Sequence, residues 1–197
     1  MAKNRLGMKT KNKILESADY LFNLKGYENV SVEEIAEKST VTKAMVYYHF
    51  DSKETIMLDL IKKLLENIKY KIEIKELDLS NHEILSNHIK EMIALWKRNR
   101  EIGLFILTKG IKEEKIFSYM MEILKLFFGQ LLGADNTSNK EYIEQYIRLI
   151  FYNALPMISF SVLSDIITKE MSLPEKMVED VFRKGFMDNL NVMPFSQ

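Results

Sequence analysis

The sequence has no cysteine and only three histidines among its 197 residues. Without cysteine there are no disulfides and no thiolate chemistry, which fits a reducing cytoplasm. The histidines (His49, His82 and His88) form neither the Glu-x-x-His nor the His-Glu-x-x-His metal motif. A glycine-rich phosphate loop and a G-x-S-x-G nucleophile motif are also missing. We therefore predict a protein that is not an enzyme, with no catalytic residues, no metal and no cofactor.

The sequence also has no net charge and no long unbroken apolar run. Twenty-eight basic residues balance 28 acidic ones. The longest apolar run, Leu149 to Val162, contains Asn153, Pro156 and two serines, and it is shorter than the roughly 20 residues that span a bilayer. The basic N-terminus is not followed by the apolar segment of a signal peptide. We expect a cytoplasmic protein without membrane contact.

What the chain does have is helical periodicity from end to end. Hydrophobic residues make up 47% of the sequence, which is enough for a real core. Apolar residues recur at helical spacing, and repeated Ser-x-x-Glu pairs mark helix starts. The pattern predicts an all-α protein of about nine helices. Helix 1 is expected over residues 9–25, helix 4 from about residue 51 to 74, and helix 8 is expected to kink or split at Pro156.

The stretch from Ser31 to Lys53 has the spacing of a helix-turn-helix. Ser31 and Glu34 form a capping box that opens a short helix. Thr42 is a suitable N-cap for a second short helix, and Asp51 with Glu54 opens a long third one. In a helix-turn-helix the second helix lies in the DNA major groove.

Residues 10–58 resemble the DNA-binding domain of the tetracycline-repressor (TetR) family of bacterial transcription regulators. The resemblance covers about a quarter of the chain and rests on these matches: Ile14-Leu15, Ala18, Leu21-Phe22, Gly26-Tyr27, Ser31-Val32, Ile35-Ala36, Val41-Thr42-Lys43, Tyr47-Tyr48-His49-Phe50 and Ser52-Lys53-Glu54. It implies a DNA-binding domain over 1–51 and a ligand-binding and dimerisation domain over 52–197. The chain departs from the family where glycine is usual, at Thr40 in the turn and Ala44 early in the recognition helix, so Thr40 must accept a less comfortable turn geometry.

Helix 3 carries the side chains expected to read DNA. Lys43 can donate to guanine O6 or N7, Thr42 can contact base or phosphate, and the Ala44 methyl suits a thymine methyl. Tyr48 is placed beside them, whereas Val46 and Phe50 are assigned to the core. The resemblance implies backbone contacts from Tyr47, His49 and Lys53, and Ser31 is a further phosphate candidate. The alternative is that Tyr47, Tyr48 and His49 only pack the small domain.

The first 13 residues hold Lys3, Arg5, Lys9, Lys11 and Lys13 and no acid. This run is interpreted either as a solvated tail or as an arm that follows phosphate or the minor groove beside the helix-turn-helix.

The last two helices are expected to form a homodimer interface. From Leu149 to Leu163 the chain is apolar nearly all round, so two faces must be buried. The resemblance points the same way, since the family dimerises through its last two helices as a four-helix bundle. The interface residues predicted are Phe151, Leu155, Ile158, Val162, Val178, Val181, Phe182, Gly185 and Phe186. The alternative is the core of a monomer.

The remaining helices are rich in aromatic residues and in methionine, a composition that is typical of an adaptable apolar cavity. The effector-site residues predicted are His88, Met92, Trp96, Phe105, Phe117, Met121, Phe128, Tyr152, Asn153 and Met157. The alternative for any one of them is plain core packing. In the family, a bound effector shifts helices 4 and 6 and releases DNA, and here the segment between Gly103 and Gly110 is the expected mobile piece.

These observations favour a dimeric repressor released from a palindromic operator by a small, mainly apolar or amphipathic effector. A DNA-bound protein whose body holds a protein partner, with no inducer, is the second hypothesis. A helical enzyme or carrier with a vestigial DNA-binding domain is the third.

Overall fold

The computed structural model describes residues 2–75, 82–132 and 140–190, and within these ranges the chain forms nine helices and no strand. The helices are α1 (Ala2–Lys25), α2 (Val32–Lys38), α3 (Lys43–His49), α4 (Lys53–Lys75), α5 (His82–Arg98), α6 (Arg100–Phe105, continued by the π-helical turn Ile106–Gly110), α7 (Glu114–Leu132), α8 (Lys140–Arg148, the π-helical turn Leu149–Ala154 and Leu155–Glu170 in one run) and α9 (Glu175–Leu190). A 3₁₀ turn, Tyr27–Asn29, follows α1. The predicted all-α class is confirmed.

One predicted helix boundary needs correction. Helix α1 begins at Ala2 and not near residue 9, so the basic N-terminal run is a helical extension of α1, and its contact with DNA stays a prediction. At Pro156 the regular α-helix is interrupted, because the π-helical turn Leu149–Ala154 lies directly before the segment that carries this proline. Proline lacks the N–H that would serve the carbonyl four residues back, and an i→i+5 pattern brings the next residue's N–H to that carbonyl.

Helices α1 to α3 and the first turns of α4 form a compact unit, called the head below. Its interior is made of the apolar residues that the periodicity predicted, and each is at most 6% exposed: Ile14, Leu15, Ala18, Leu21, Phe22, Val30, Ile35, Ala36, Val46, Phe50 and Ile56. The remaining helices, called the body, pack around α8, which contacts α5, α6 and α9. The head therefore presents the outer face of α3 on a rigid support.

The turn between α2 and α3 is built around Ser39 and Thr40. Ser39 is fully buried, and its hydroxyl donates to the carbonyl of Ile35 at 2.6 Å. Thr40 has a φ of 53°, in the left-handed region, as its departure from the family glycine predicted. The Lys13 ammonium donates to the Thr40 hydroxyl. One side-chain hydrogen bond thus accompanies a backbone conformation that β-branched residues rarely adopt.

Glycine at position 40 is expected to stabilise the head relative to alanine. Both substitutions remove the bond from Lys13, but only alanine keeps the left-handed penalty of an L residue. Thr40→Gly should exceed Thr40→Ala in free energy of unfolding by about 1 kcal/mol, measured by urea denaturation. Equal stabilities of the two variants would contradict backbone strain at position 40.

One helical stretch among the described residues, Tyr146–Glu170, is long and apolar enough to cross a membrane by length and composition, with a mean hydropathy of 1.5. This corrects the length argument, because the helix continues beyond residues 149–162 at both ends. Length and composition alone are weak grounds, since the core helix of a soluble protein passes the same test. Within the described residues α8 contacts α5, α6 and α9, and about a third of its most apolar window (33%) is buried.

Candidate nucleic-acid interface

Helix α2 is anchored at its start by the predicted capping box. The backbone N–H of Glu34 donates to Ser31 Oγ at 3.2 Å, and the N–H of Ser31 donates to Glu34 Oε2 at 2.8 Å. The Lys25 ammonium, 2.6 Å from Glu34, and the two bonds from Ser31 hold the pKa of the Glu34 carboxyl at about 2. The Ser31 hydroxyl also donates its single proton to Glu34 Oε2 at 3.0 Å. Ser31 therefore caps α2 as predicted, and its contact with phosphate stays a prediction.

Helix α3 turns its predicted reading face to solvent. Thr42 caps it, with the N–H of Met45 donating to Thr42 Oγ1 at 3.2 Å. Thr42, Lys43 and Ala44 are exposed. On the opposite side Val46 and Phe50 are 1% and 5% exposed, which confirms their assignment to the core. The core side fixes the rotation of α3, and the reading face follows from it.

The exposed tyrosines of α3 do not pack the head. Tyr47 is 46% exposed and Tyr48 is 80% exposed. The half-buried His49 ring lies edge-on to Tyr48, with 5.1 Å between ring centroids. Aromatic rings with a polar tip are suited to a surface that becomes partly buried on binding. The packing alternative is therefore excluded for Tyr48, and the DNA contacts of all three residues stay predictions.

Lys43 has a partner that the sequence did not reveal. Its ammonium forms an ion pair with the Glu33 carboxylate of α2, and the ring centroid of Tyr47 is 5.7 Å from it. The hydrogen bond from Lys43 lowers the pKa of the Glu33 carboxyl. Helix α3 contributes no other lysine or arginine.

Lys53 has partners within the head that the sequence did not reveal. Its ammonium donates to the carbonyls of Tyr27 and Val30, both at 2.9 Å, and lies 4.4 Å from the Tyr27 ring centroid. Tyr27 begins the 3₁₀ turn after α1 and Val30 follows its last residue, so Lys53 ties that turn to the start of α4. Its contact with phosphate stays a prediction.

Tyr27 is the centre of a junction between head and body. Its backbone N–H donates to Glu101 Oε2 at 3.0 Å, and its hydroxyl donates to Glu54 Oε1 at 3.1 Å. Its ring packs edge-on against Phe105 of α6, with 4.9 Å between centroids. Lys109, in the π-helical turn, donates to Glu54 at 3.3 Å. Burial, and after it the Glu54 charge, raise the pKa of the Tyr27 phenol far above its ordinary 10.0.

The predicted effector residues do not share one environment. Trp96, Phe105 and Met157 are at most 6% exposed, and His88, Met92, Met121 and Asn153 are half-buried. Phe117 and Tyr152 are 44% and 53% exposed, so the structure contradicts their place inside a body cavity. Their helices turn them outward because other residues of the same helices fill the core. The side chain of Phe128 lies outside the described part of the chain.

An open groove of about 510 Å³ lies away from all the predicted effector residues. It is lined by α1 and one body residue: Glu16, Asp19, Tyr20, Asn23, Leu24 and Arg98. In the described ranges of the chain, no group of three or more histidine, aspartate or glutamate side chains is placed to hold a metal ion.

The predicted dimer residues divide into two groups. Ile158, Val162 and Phe186 are 5–7% exposed within the chain's own core, so the structure removes them from the predicted interface. Phe182 is half-buried and stacks on Phe160, with 4.0 Å between ring centroids. Phe151 and Val181 are 60% and 65% exposed, Gly185 is exposed, and Leu155 and Val178 are half-buried. Periodicity predicted the apolar faces of α8 and α9 but not which face the monomer buries.

Comparison with known proteins agrees with this site. The family model for bacterial regulatory proteins of the tetR family matches residues 14–60, the helix-turn-helix and its flanking helices. YttP of Bacillus subtilis, named as an HTH-type transcriptional regulator, is 28% identical over 142 residues, which is 68% of each chain. The biofilm operon negative regulator IcaR of Staphylococcus aureus is 42% identical over 52 residues, 26% of this chain and only 28% of IcaR.

The fold agrees over almost the whole chain. A transcriptional regulator from Saccharomonospora viridis, solved in complex with choline, superposes with a TM-score of 0.60 and 19% identity, covering 94% of this chain and 97% of its own. Residues 14–60 therefore form a helix-turn-helix domain of the tetR type, and the chain as a whole is similar to TetR-family transcriptional regulators. Its relatives are DNA-binding regulators of transcription and not enzymes.

Proposed function

We propose that this regulator is a cytoplasmic homodimer that represses transcription from a palindromic operator and leaves it when a small, mainly apolar effector binds. Residues 1–51 read DNA, and residues 52–197 dimerise and bind the effector. The exposed face of α3 carries the proposal, because Thr42, Lys43, Ala44 and Tyr48 are held outward by the buried Val46 and Phe50. Repression is supported by the similarity of the head to IcaR, a negative regulator.

Dimerisation is supported by apolar side chains that α8 and α9 leave uncovered. Each is at least 40% exposed: Phe151, Leu163, Ile166, Ile167, Met171, Met177 and Val181. The two helices pack against each other, and a monomer rarely leaves this much apolar surface in water. A second copy using the same surface would produce a two-fold dimer, and two heads would then read two half-sites.

Selection from a random double-stranded DNA pool, at two salt concentrations, tests the operator. Enrichment of a palindrome whose binding weakens steeply with salt is expected, because phosphate contacts release counterions. Equal, weak binding to every duplex would refute sequence-specific repression by this chain.

Leucine at Gly185 is expected to separate the dimer. A Cβ at this position would meet no atom within 4 Å in the monomer, and glycine within a helix is destabilising by about 0.5–1 kcal/mol relative to alanine. Gly185→Leu should therefore fold at least as stably as the wild type while blocking close approach of a partner helix. Sedimentation velocity should show a shift from dimer to monomer.

Lys184→Leu, at the neighbouring exposed position, is the matched control and should leave the dimer intact. A Gly185→Leu protein that remains fully dimeric would place the interface elsewhere.

Effector release is supported by tight packing along α6. A Cβ at Gly103 would lie 3.2 Å from Ser161 Oγ and from Val162 Cγ2 of α8, and one at Gly110 would lie 2.7 Å from the sulfur of Met120 in α7. A shift of α6 therefore requires its neighbours to move. The shift would be transmitted to the head through the hydrogen bonds of Glu101 with Tyr27 and of Lys109 with Glu54. An effector acts by binding one arrangement more tightly than the other.

The test is displacement of the enriched palindrome by small apolar and amphipathic compounds, followed by fluorescence anisotropy. The outward placement of Phe117 and Tyr152 favours the alternative, a body that holds a protein partner. Lack of displacement by every compound, with the palindrome still bound, would support that alternative.

A further inference from the structure

The ion pair between Glu33 and Lys43 joins the two helices of the helix-turn-helix. Glu33 is the second residue of α2, and Lys43 is the first residue of α3. Both side chains are about half exposed, at 60% and 51%, so the pair lies on the outer surface and not in the core. The pair is therefore placed on the reading side of the head, next to Thr42 and Ala44.

Lys43 is restrained from two directions. The Glu33 carboxylate accepts one hydrogen bond from the ammonium, and the Tyr47 ring lies 5.7 Å from it, one helical turn along α3. A lysine side chain otherwise has many rotamers, and binding must select one of them. A side chain that is already held in its bound position loses less freedom on binding.

The chemistry of the ammonium group leaves room for a base. It has three N–H donors and no acceptor. One donor serves Glu33, and two remain for guanine, whose O6 and N7 are adjacent acceptors in the major groove. Guanine is the base that offers two acceptors there, whereas adenine offers N7 beside an amino donor, which repels a lysine.

We propose that Glu33 is a positioning residue for sequence reading. It stays paired with Lys43 in the complex, and this pairing directs the two remaining N–H donors of the Lys43 ammonium at a guanine. The proposal rests on the proposed sequence-specific function of the head. A different account is that Glu33 competes with DNA for Lys43 and is released on binding. Under that account Glu33 lowers the affinity for all DNA and has no influence on which base is preferred.

Glutamine at position 33 separates the two accounts. Glu33→Gln keeps the size of the side chain and removes its charge. Glu37→Gln is the matched control, because it removes the same charge one turn later on the same face of α2. Wild type and both variants are passed through the random-pool selection. Each is then titrated with the enriched palindrome and with palindromes in which every base of the half-site is changed in turn.

We expect the wild type to prefer guanine over adenine by about tenfold or more at one position of each half-site. In Glu33→Gln this preference should fall to about threefold or less at that position only, and the affinity for a random duplex should not decrease. Lys43→Ala should lose preference at the same position, which identifies the base that Lys43 reads. Thermal unfolding of the two glutamine variants should match the wild type, because the pair is exposed.

Three outcomes would overturn the proposal. Glu33→Gln could keep the full guanine preference while binding all duplexes more tightly, as competition requires. Glu37→Gln could relax the same position equally, which would make the effect one of net charge. Lys43→Ala could leave the preference of every base unchanged. In each case the enriched palindrome itself would still support the proposed function, so the two failures are distinguishable.

Discussion

Alanine at both Lys43 and Tyr47 is expected to lower the affinity for the enriched palindrome by about a hundredfold or more. Lys43 supplies the only lysine or arginine charge of α3, and Tyr47 lies beside it with a 46% exposed side chain. Both losses occur twice in the proposed two-fold dimer. Fluorescence anisotropy with a labelled palindrome measures the effect, and the salt dependence should become shallower because fewer counterions are released.

A second pair of alanines serves as the control. Lys112→Ala with Tyr119→Ala removes the same two residue types from exposed positions of the body and should leave the affinity unchanged. Circular dichroism should show that both double variants retain the helical content of the wild type. Palindrome binding by Lys43→Ala with Tyr47→Ala at wild-type strength would remove α3 as the reading helix.

Alanine at Tyr27 is expected to cost more stability than any other single change considered. The side chain is 4% exposed and packs against Phe22 and Phe105. Loss of a buried aromatic ring costs about 3–5 kcal/mol. Tyr27→Phe keeps the ring and loses only the hydrogen bond to Glu54, so it should cost about 1 kcal/mol. Urea denaturation of the two variants measures both values.

The same pair of proteins has an expected pH signature. The pKa of the Tyr27 phenol is raised in the folded chain, by burial first and by Glu54 second. The unfolded chain therefore loses this proton at about pH 10 while the folded chain keeps it, so stability is full below pH 10 and falls above it. Tyr27→Phe should show a smaller fall between pH 10 and 11. An identical fall in both proteins would mean that Tyr27 is not buried in its neutral form.

The order of helices and the identity of the reading helix follow from local signals. Capping residues such as Ser31 and Thr42 act within three positions of themselves, and apolar spacing acts within a few turns. The periodic pattern therefore predicted α2, α3 and the outward face of α3 before any contact was known. The strained turn at Thr40 was predicted from the family resemblance, because the family usually has glycine at this position.

The tertiary structure decided which polar groups meet. Glu33 and Lys43 are ten positions apart across a turn, and Tyr27 and Glu101 are 74 positions apart. Lys53 had the spacing of a phosphate contact, yet its ammonium group reaches two carbonyls of the turn after α1. The hydrophobic periodicity of the sequence does not predict such pairings, since they depend on how the helices cross.

For the body too, the sequence determined one part of the burial pattern and the tertiary structure determined the other. Apolar residues surround α8, so the sequence by itself determined that more than one face must be covered. It did not determine that Ile158 and Val162 are covered by the chain's own helices, while Phe151 and Val181 remain exposed. That choice depends on the rotation and crossing of packed helices, a balance of many small contacts distributed over the whole body.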